Sequence, residues 1–201
     1  MKNVIKFSMC LLVMVTTMAT SYAGNTKKED DDKGKMVITL TLNNVKAGQQ
    51  LVIKDLDGLT IYKEAIATTG LYNNTFNLKA LPEGTYYFEH YKDLQIKRIP
   101  FTVAKGEVSF DSNNGKTFFK PVVRKQGNVM YLTQLALDKE DLNVAIYYSS
   151  DVKSDFELIH AEHVTDTLNI ERIYQLSPER KGEYRVVLTT NGEDFVENFT
   201  L

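Results

Sequence analysis

The chain has 201 residues, of which 24 are basic and 26 acidic, and its formal net charge is −2. This balance lacks the basic excess by which proteins attract nucleic-acid phosphates, so we expect no nucleic-acid partner. The only cysteine is Cys10, which excludes an internal disulfide framework and a thiolate metal site.

Residues 1–23 have the pattern of a secretory signal peptide. Two lysines precede an apolar run over residues 9–15, and small residues follow up to Ala23, which predicts cleavage before Gly24. The run is shorter than the roughly 20 residues of a membrane-spanning helix, and no later stretch approaches that length. We expect an exported mature chain without a transmembrane segment, in the periplasm, on the cell surface or outside the cell. A lipoprotein modified on Cys10 is the alternative.

Residues 24–35 form a polar segment without large apolar side chains. Such a segment cannot offset the entropy of ordering, so we predict a disordered linker. Removal of the signal peptide also removes two lysines, which leaves 22 basic against 26 acidic residues and a net charge of −4.

Apolar and polar residues alternate through most of the remaining chain. Ile38, Leu40 and Leu42 are separated by threonines, as in a strand that is buried on one face. Asp57-Gly58 between two apolar runs is typical of a β-hairpin turn. Helical periodicity extends over no more than a turn or two, which predicts an all-β chain.

The strand that begins at Gly84-Thr85-Tyr86 has a counterpart at Gly182-Glu183-Tyr184. A phenylalanine follows each glycine by seventeen residues, at Phe101 and Phe199, and the apolar runs of the two copies match in order. Regularly spaced short strands of this kind predict two tandem immunoglobulin-like antiparallel β-sandwiches. The predicted domains span residues 36–117 and 118–201.

Side chains after Gly84 alternate between the two faces of the predicted strand. We expect Tyr86, Phe88 and His90 in the core, and Tyr87, Glu89 and Tyr91 on the outward face. Gly84 is predicted to adopt a positive φ. Tyr86 is predicted to anchor its strand to the core, as Tyr184 does in the second copy.

Four tyrosines are candidates for a binding surface: Tyr87, Tyr91, Tyr147 and Tyr148. An aromatic ring combines a large contact area with a polar tip, so these side chains could stack on a sugar ring or pack on a protein partner. The alternative is structural, because large side chains are mostly buried and these could fill the junction between the sandwiches. The lack of tryptophan weakens the sugar hypothesis.

The segment His160-Ala161-Glu162-His163 is the nearest approach to a metal motif. On a strand, His160 and Glu162 point one way and His163 the other, and the zinc-protease spacing His-Glu-x-x-His is absent. The sequence also lacks the Gly-x-Ser-x-Gly pattern of a nucleophilic serine. We therefore predict no catalytic residue, no metal site and no cofactor. A hydrolase site around Glu162, His163 and Asp166 is the alternative, and it would require a cleft with a perturbed acid or histidine.

Two segments of the first copy resemble a known group of domains. They are Leu51-Val52-Ile53-Lys54-Asp55 with Gly58 and Ile61-Tyr62, and Phe76-Asn77-Leu78 with Leu81-Pro82, Gly84 and Tyr86. The pattern is similar to the C-terminal sorting domains of type IX secretion and to small secreted Bacteroidetes domains of unknown function. The resemblance covers residues 36–103 well and residues 118–201 in outline. It implies a β-sandwich fold and a location in the Gram-negative envelope or outside the cell.

These patterns favour an exported, non-enzymatic β-sandwich protein that acts as an interaction or structural module at the bacterial cell envelope. Its partner would be an unknown protein or glycan. A type IX sorting or surface-attachment module is one alternative, and a small hydrolase with an unrecognised site is another.

Overall fold

The computed structural model of the protein describes residues 36–151 and 154–201. The predicted signal peptide (residues 1–23) and linker (residues 24–35) lie outside the described residues. The described chain contains 15 β-strands and no helix, so the predicted all-β class is confirmed. The strands are β1 (Val37–Val45), β2 (Gln50–Asp55), β3 (Thr60–Ala65), β4 (Gly70–Asn77), β5 (Gly84–Tyr91), β6 (Gln95–Ala104), β7 (Glu107–Phe110), β8 (Lys116–Phe119), β9 (Val122–Gln126), β10 (Val129–Leu135), β11 (Leu142–Ser149), β12 (Glu157–Val164), β13 (Asn169–Gln175), β14 (Glu183–Thr190) and β15 (Glu193–Thr200).

Strands β1 to β8 make up the N-terminal half, residues 36–119. β1 pairs with β4, and a larger sheet has the order β3-β2-β5-β6-β7. The far edge of β6 is shared, since β8 pairs with its residues 95–98 and β7 with its residues 101–104. Pro100 lies between these two stretches, where its missing N–H leaves no ladder hydrogen bond unmade.

Strands β9 to β15 make up the C-terminal half, residues 122–201, and repeat the same antiparallel pairing. β10 pairs with β13 as β1 pairs with β4, and the order β12-β11-β14-β15 repeats β3-β2-β5-β6. The halves differ at their edges. Among the described strands, β9 beside β10 has no counterpart beside β1, and β7 and β8 have none beside β15.

Each half buries its own hydrophobic cluster. Leu40 and Phe88 belong to the cluster of the N-terminal half, and Leu132 and Val186 to that of the C-terminal half; the two clusters share no residue. Two separate cores agree with the predicted pair of sandwiches. The predicted boundary after residue 117 falls inside β8, which pairs with β6 of the N-terminal half.

Tyr86 and Tyr184 begin equivalent strands and make the same hydrogen bond. Tyr86 is 6% exposed, and its Oη donates to the carbonyl oxygen of Pro82 at 2.9 Å. Tyr184 is 1% exposed, and its Oη donates to the carbonyl oxygen of Arg180 at 2.9 Å. A tyrosine at this corner, bonded to backbone a few residues upstream, is a hallmark of the immunoglobulin fold. The predicted anchoring role of both tyrosines is confirmed.

The predicted positive φ at Gly84 is wrong. Its φ is not in the positive range, and a Cβ added there would meet only the Tyr86 ring, at 3.6 Å. Gly182, at the equivalent position, does have a φ of +153°, and an added Cβ would collide with the carbonyl oxygen of Ser149. The repeat therefore conserves the position of the glycine, but the backbone requires glycine only where β11 passes close to it.

Candidate functional site

The outward face of β5 is where the two halves meet. Tyr86, Phe88 and His90 are buried in the N-terminal half, so the predicted core face is confirmed. Glu89 points away from that core and yet has an exposure of 0%. Other residues on the same face of the sheet are also buried: Val52, Ile96 and Phe118. This face is covered, and contacts from the C-terminal half reach it.

Glu89 is held by two cations of the N-terminal half. Arg98, its cross-strand partner on β6, donates from Nε to Oε1 at 2.5 Å. Nζ of Lys54, on β2, lies 3.2 Å from Oε2. A carboxylate removed from water must be paired and hydrogen-bonded, and these two contacts supply both.

Glu193, at the start of β15, joins this group from the C-terminal half. Its Oε1 is bonded to Nζ of Lys54 and lies 3.7 Å from Nη2 of Arg98. Its Oε2 accepts a hydrogen bond from Oη of Tyr91 at 2.8 Å. Nη2 of Arg98 also donates to the carbonyl oxygen of Asn191 at 3.1 Å. The turn between β14 and β15 is thereby held to the N-terminal half through side-chain and backbone groups.

The hydroxyl of Tyr91 lies between the two carboxylates. Its oxygen is 2.7 Å from Oε2 of Glu89, 2.8 Å from Oε2 of Glu193 and 2.9 Å from Nζ of Lys54. One phenol proton is therefore shared between two acceptors, while Lys54 donates to the phenol oxygen. Burial, together with the hydrogen bond to Glu89, raises the pKa of Tyr91 well above its usual value.

We call this group the junction cluster: Lys54, Glu89, Tyr91, Arg98 and Glu193. Two cations balance two carboxylates, and the charged side chains are at most 26% exposed. Partly buried pairs are screened by salt much less than exposed ones. Since both carboxylates are paired with cations, the cluster joins the surfaces of the two halves.

A cavity of about 130 Å³ lies beside the junction cluster. Its walls include Tyr87, Asp55, Asp57 and Asn191, and the guanidinium of Arg98 lies 5.3 Å from the centre of the Tyr87 ring. This volume is below the roughly 300 Å³ that is usual for ligand pockets.

The four candidate tyrosines occupy two separate places. Tyr87 and Tyr91 lie on the face of β5 at the junction between the halves. Tyr148 packs on Tyr184 with ring centres 5.2 Å apart, and its Oη donates to the carbonyl oxygen of Lys181 at 3.0 Å. Tyr147 precedes it on β11 and points to the opposite face of that sheet. A partner-binding role for these tyrosines stays a prediction.

A second set of contacts crosses between the halves near the connection from β8 to β9. Nε2 of Gln134 donates to the carbonyl oxygen of Phe119 at 3.1 Å. Nζ of Lys120, within the connection itself, donates to the carbonyl oxygen of Lys92 at 2.5 Å, and burial lowers the pKa of this lysine. The junction is therefore supported at two places.

The segment His160-Ala161-Glu162-His163 lies on β12. Nε2 of His160 is 3.9 Å from Oε2 of Glu162, whereas Nδ1 of His163 lies 2.7 Å from Oδ1 of Asn143 on β11. Within residues 36–151 and 154–201, no three acidic, histidine or cysteine side chains are grouped to hold a metal ion. The same residues contain no helix long and apolar enough to cross a membrane.

The acids of the alternative hydrolase site face different partners. Glu162 accepts from Nε of Arg172 at 2.6 Å and from Oη of Tyr174 at 2.9 Å. Burial opposes its ionisation, but these hydrogen bonds outweigh burial and lower the pKa of Glu162. Asp166 is paired with Lys139 at 2.6 Å. A general acid needs the opposite shift, so this geometry gives no support to acid catalysis by Glu162.

Comparisons with solved structures give distant likenesses, among them the following two. A biofilm-associated protein BSP domain matches with a TM-score of 0.29 and 12% identity, over 84% of this chain and 27% of that chain. The human OSCAR ligand-binding domain matches with a TM-score of 0.24 and 10% identity, over 82% of this chain and 89% of that one. This chain thus spans about a quarter of the length of the first. No family model and no curated protein matches the chain.

Alternation predicted Tyr87, Glu89 and Tyr91 on this face, but not the charged partners Lys54, Arg98 and Glu193. Lys54 and Arg98 sit in ordinary alternating strands, and Glu193 follows a common Asn-Gly turn. Lys54 and Glu193, which are bonded to each other, are 139 positions apart in the sequence. The pairing of Glu89 with Arg98 follows from the register of β5 with β6 in the structure, which the sequence pattern does not reveal.

Proposed function

We propose that the mature chain is an exported, non-enzymatic module that holds two immunoglobulin-like sandwiches in a fixed relation and presents their surfaces at the bacterial cell envelope. The junction cluster is the observation that carries this proposal. A buried network with equal numbers of positive and negative groups favours one arrangement of two surfaces more strongly than apolar contact alone. A shifted arrangement would leave a buried charge without its partner.

Export is supported by the sequence of residues 1–23, and the envelope location by the resemblance of residues 36–103 to secreted domains. The absence of catalysis is supported by the pairing of Glu89 and Glu193 with cations. The cavity beside them, of about 130 Å³, is also small for a substrate.

The experiment is a location and binding assay in the source bacterium. A C-terminally tagged chain is expressed, fractionated and sequenced from its mature N-terminus, and its retention on isolated envelopes is measured. We expect a mature chain that begins at Gly24 and binds the envelope saturably. A full-length cytoplasmic product would contradict the export, and a chain that washes off completely would contradict the envelope role.

The four tyrosines allow a finer proposal about the partner. Tyr147 points outward from β11, between Leu158 and Arg185 on the neighbouring strands, so it is the member best placed to contact another protein molecule. In the envelope assay, Tyr147→Ala should weaken retention, whereas Tyr148→Phe should not, because the latter only removes the hydrogen bond to Lys181. Equal retention of both variants would overturn the role of Tyr147.

A sorting or surface-attachment role is the second candidate, and it is supported by the resemblance of residues 51–86. These residues span β2 to β4 and the beginning of β5, where the Tyr86 corner lies. Sorting predicts proteolytic removal of a C-terminal segment during secretion. Mass spectrometry of the secreted chain decides this, because an intact C-terminus at Leu201 contradicts a cleaved sorting signal.

A further inference from the structure

The C-terminal half carries an exposed apolar face on the sheet β12-β11-β14-β15. One row crosses all four strands in register and consists of Ala161, Ala145, Val187 and Val196. Val196 is 50% exposed, and Leu158 in the adjacent row is 51% exposed. We call the surface formed by this row and Leu158 the apolar face.

The same position in the N-terminal half is covered. Glu89 follows Tyr86 by three residues on β5, and Arg98 is its cross-strand partner on β6. Val187 follows Tyr184 by three residues on β14, and Val196 is its cross-strand partner on β15. The charged pair receives Glu193 from the other half. Two valines cannot pair with a carboxylate, so a surface that covers this face would have to be apolar where the N-terminal half receives Glu193.

Polar residues of opposite charge flank the apolar row on its two sides. Arg185 lies in the row on one side, where its Nε donates to Oδ1 of Asn198 at 3.2 Å. Asp194 lies in the row on the other side, where it accepts from Oγ1 of Thr189 at 2.6 Å. A two-fold axis along the apolar row exchanges these two sides, so it would bring each Arg185 over the partner's Thr189, beside the partner's Asp194 on the neighbouring strand.

We propose that two copies of the chain associate face to face through this apolar face, with Arg185 of each copy near the partner's Asp194. The face is self-complementary in charge under that symmetry, as an isologous dimer requires. Two twisted sheets can pack in this way with their apolar side chains interdigitated. The occupant is therefore a second copy of the same chain.

The oligomeric state tests the proposal. Sedimentation velocity of residues 24–201, over about 1 to 100 µM, should show a concentration-dependent dimer. Val196→Lys and, separately, Leu158→Lys should raise the dissociation constant about tenfold or more, because each buries an unpaired ammonium group. Ile173→Lys is the matched control: Ile173 is 70% exposed on β13, in the other sheet of the same half, and it should leave association unchanged.

The orientation is tested by charge reversal. Arg185→Asp and Asp194→Arg should each weaken the dimer, and the double variant should restore it. A wild-type chain that stays monomeric at the highest concentration overturns the proposal and leaves the face to a different protein. A dimer that resists both lysine variants, or a double variant no better than the single ones, overturns it as well. Circular dichroism of each variant verifies that it is folded.

Discussion

The carboxylate of Glu193 is bonded to the ammonium group of Lys54, which lies 139 residues earlier in the chain and in the other half of the molecule. Removal of that carboxylate leaves Lys54 and Arg98 with one partner carboxylate between them. We therefore expect Glu193→Gln to lower the free energy of unfolding by about 2 to 4 kcal/mol, as for other buried ion pairs that lose one partner.

Urea denaturation checks this, with Glu197→Gln as the control. Glu197 is an exposed acid on the same strand, so its replacement should change stability by less than about 0.5 kcal/mol. Equal effects of the two substitutions would show that the junction cluster contributes nothing beyond surface charge.

The two tyrosine corners predict a matched pair of effects. Tyr86→Phe and Tyr184→Phe each remove one hydrogen bond to a backbone carbonyl, at Pro82 and Arg180. Each should cost about 1 kcal/mol, with little loss of packing because the ring is kept. Guanidinium denaturation of both variants measures this, and an unchanged stability in either would remove the equivalence of the two corners.

The corner tyrosines were predictable, because strand periodicity and the repeated Gly-x-Tyr spacing are local features of the sequence. The burial of Glu89 was not. Alternation correctly placed it away from the core of its own sandwich, but the covering surface comes from a turn about a hundred residues later. Contact of β5 with the distant β14–β15 turn does not change the alternation of apolar and polar residues along β5, so the sequence pattern does not predict it.

Gly84 and Gly182 also show that a local sequence pattern does not determine the backbone conformation. Gly84 and Gly182 look alike in sequence, yet only Gly182 has a positive φ and a close backbone neighbour, Ser149. The sequence predicts the repeat unit, whereas the distance between β11 and the following turn depends on how each sandwich packs.

This difference predicts unequal effects of alanine at the two positions. Gly182→Ala should destabilise by about 3 kcal/mol or more, because the Cβ collides with backbone and the φ is strained. Gly84→Ala should cost less than about 1 kcal/mol, since neither penalty applies. Thermal unfolding of both variants compares them, and similar melting temperatures would contradict the description of these two turns.

His90 predicts a dependence of stability on pH. It is 1% exposed, and its Nε2 lies 2.8 Å from Oε1 of Gln49, which also accepts from the backbone N–H of Lys46 and so makes Nε2 the protonated nitrogen. Burial, with help from Lys92 and Lys97, lowers the pKa of His90 from 6.5 to about 4.

The folded state therefore favours neutral His90. Its contribution to stability is complete above about pH 6.5 and is lost as the pH falls towards 4, by roughly 3 kcal/mol in all. Urea denaturation of the wild type and His90→Leu, across this range, isolates the effect from that of the carboxylates. Parallel pH profiles for the two proteins would contradict a buried neutral histidine.

The most direct test of the account is whether the junction cluster fixes the two halves relative to each other. Cys10 is the only cysteine of the sequence, so in a chain of residues 24–201 spin labels can be placed at Leu71→Cys and Ile173→Cys, two exposed positions in different halves. Electron double resonance is measured with the labelled chain diluted in excess unlabelled chain. The account predicts one narrow distance distribution, which broadens in Glu193→Gln and not in Glu197→Gln. A distribution that is already broad in the wild type, or one that Glu193→Gln leaves narrow, would contradict it.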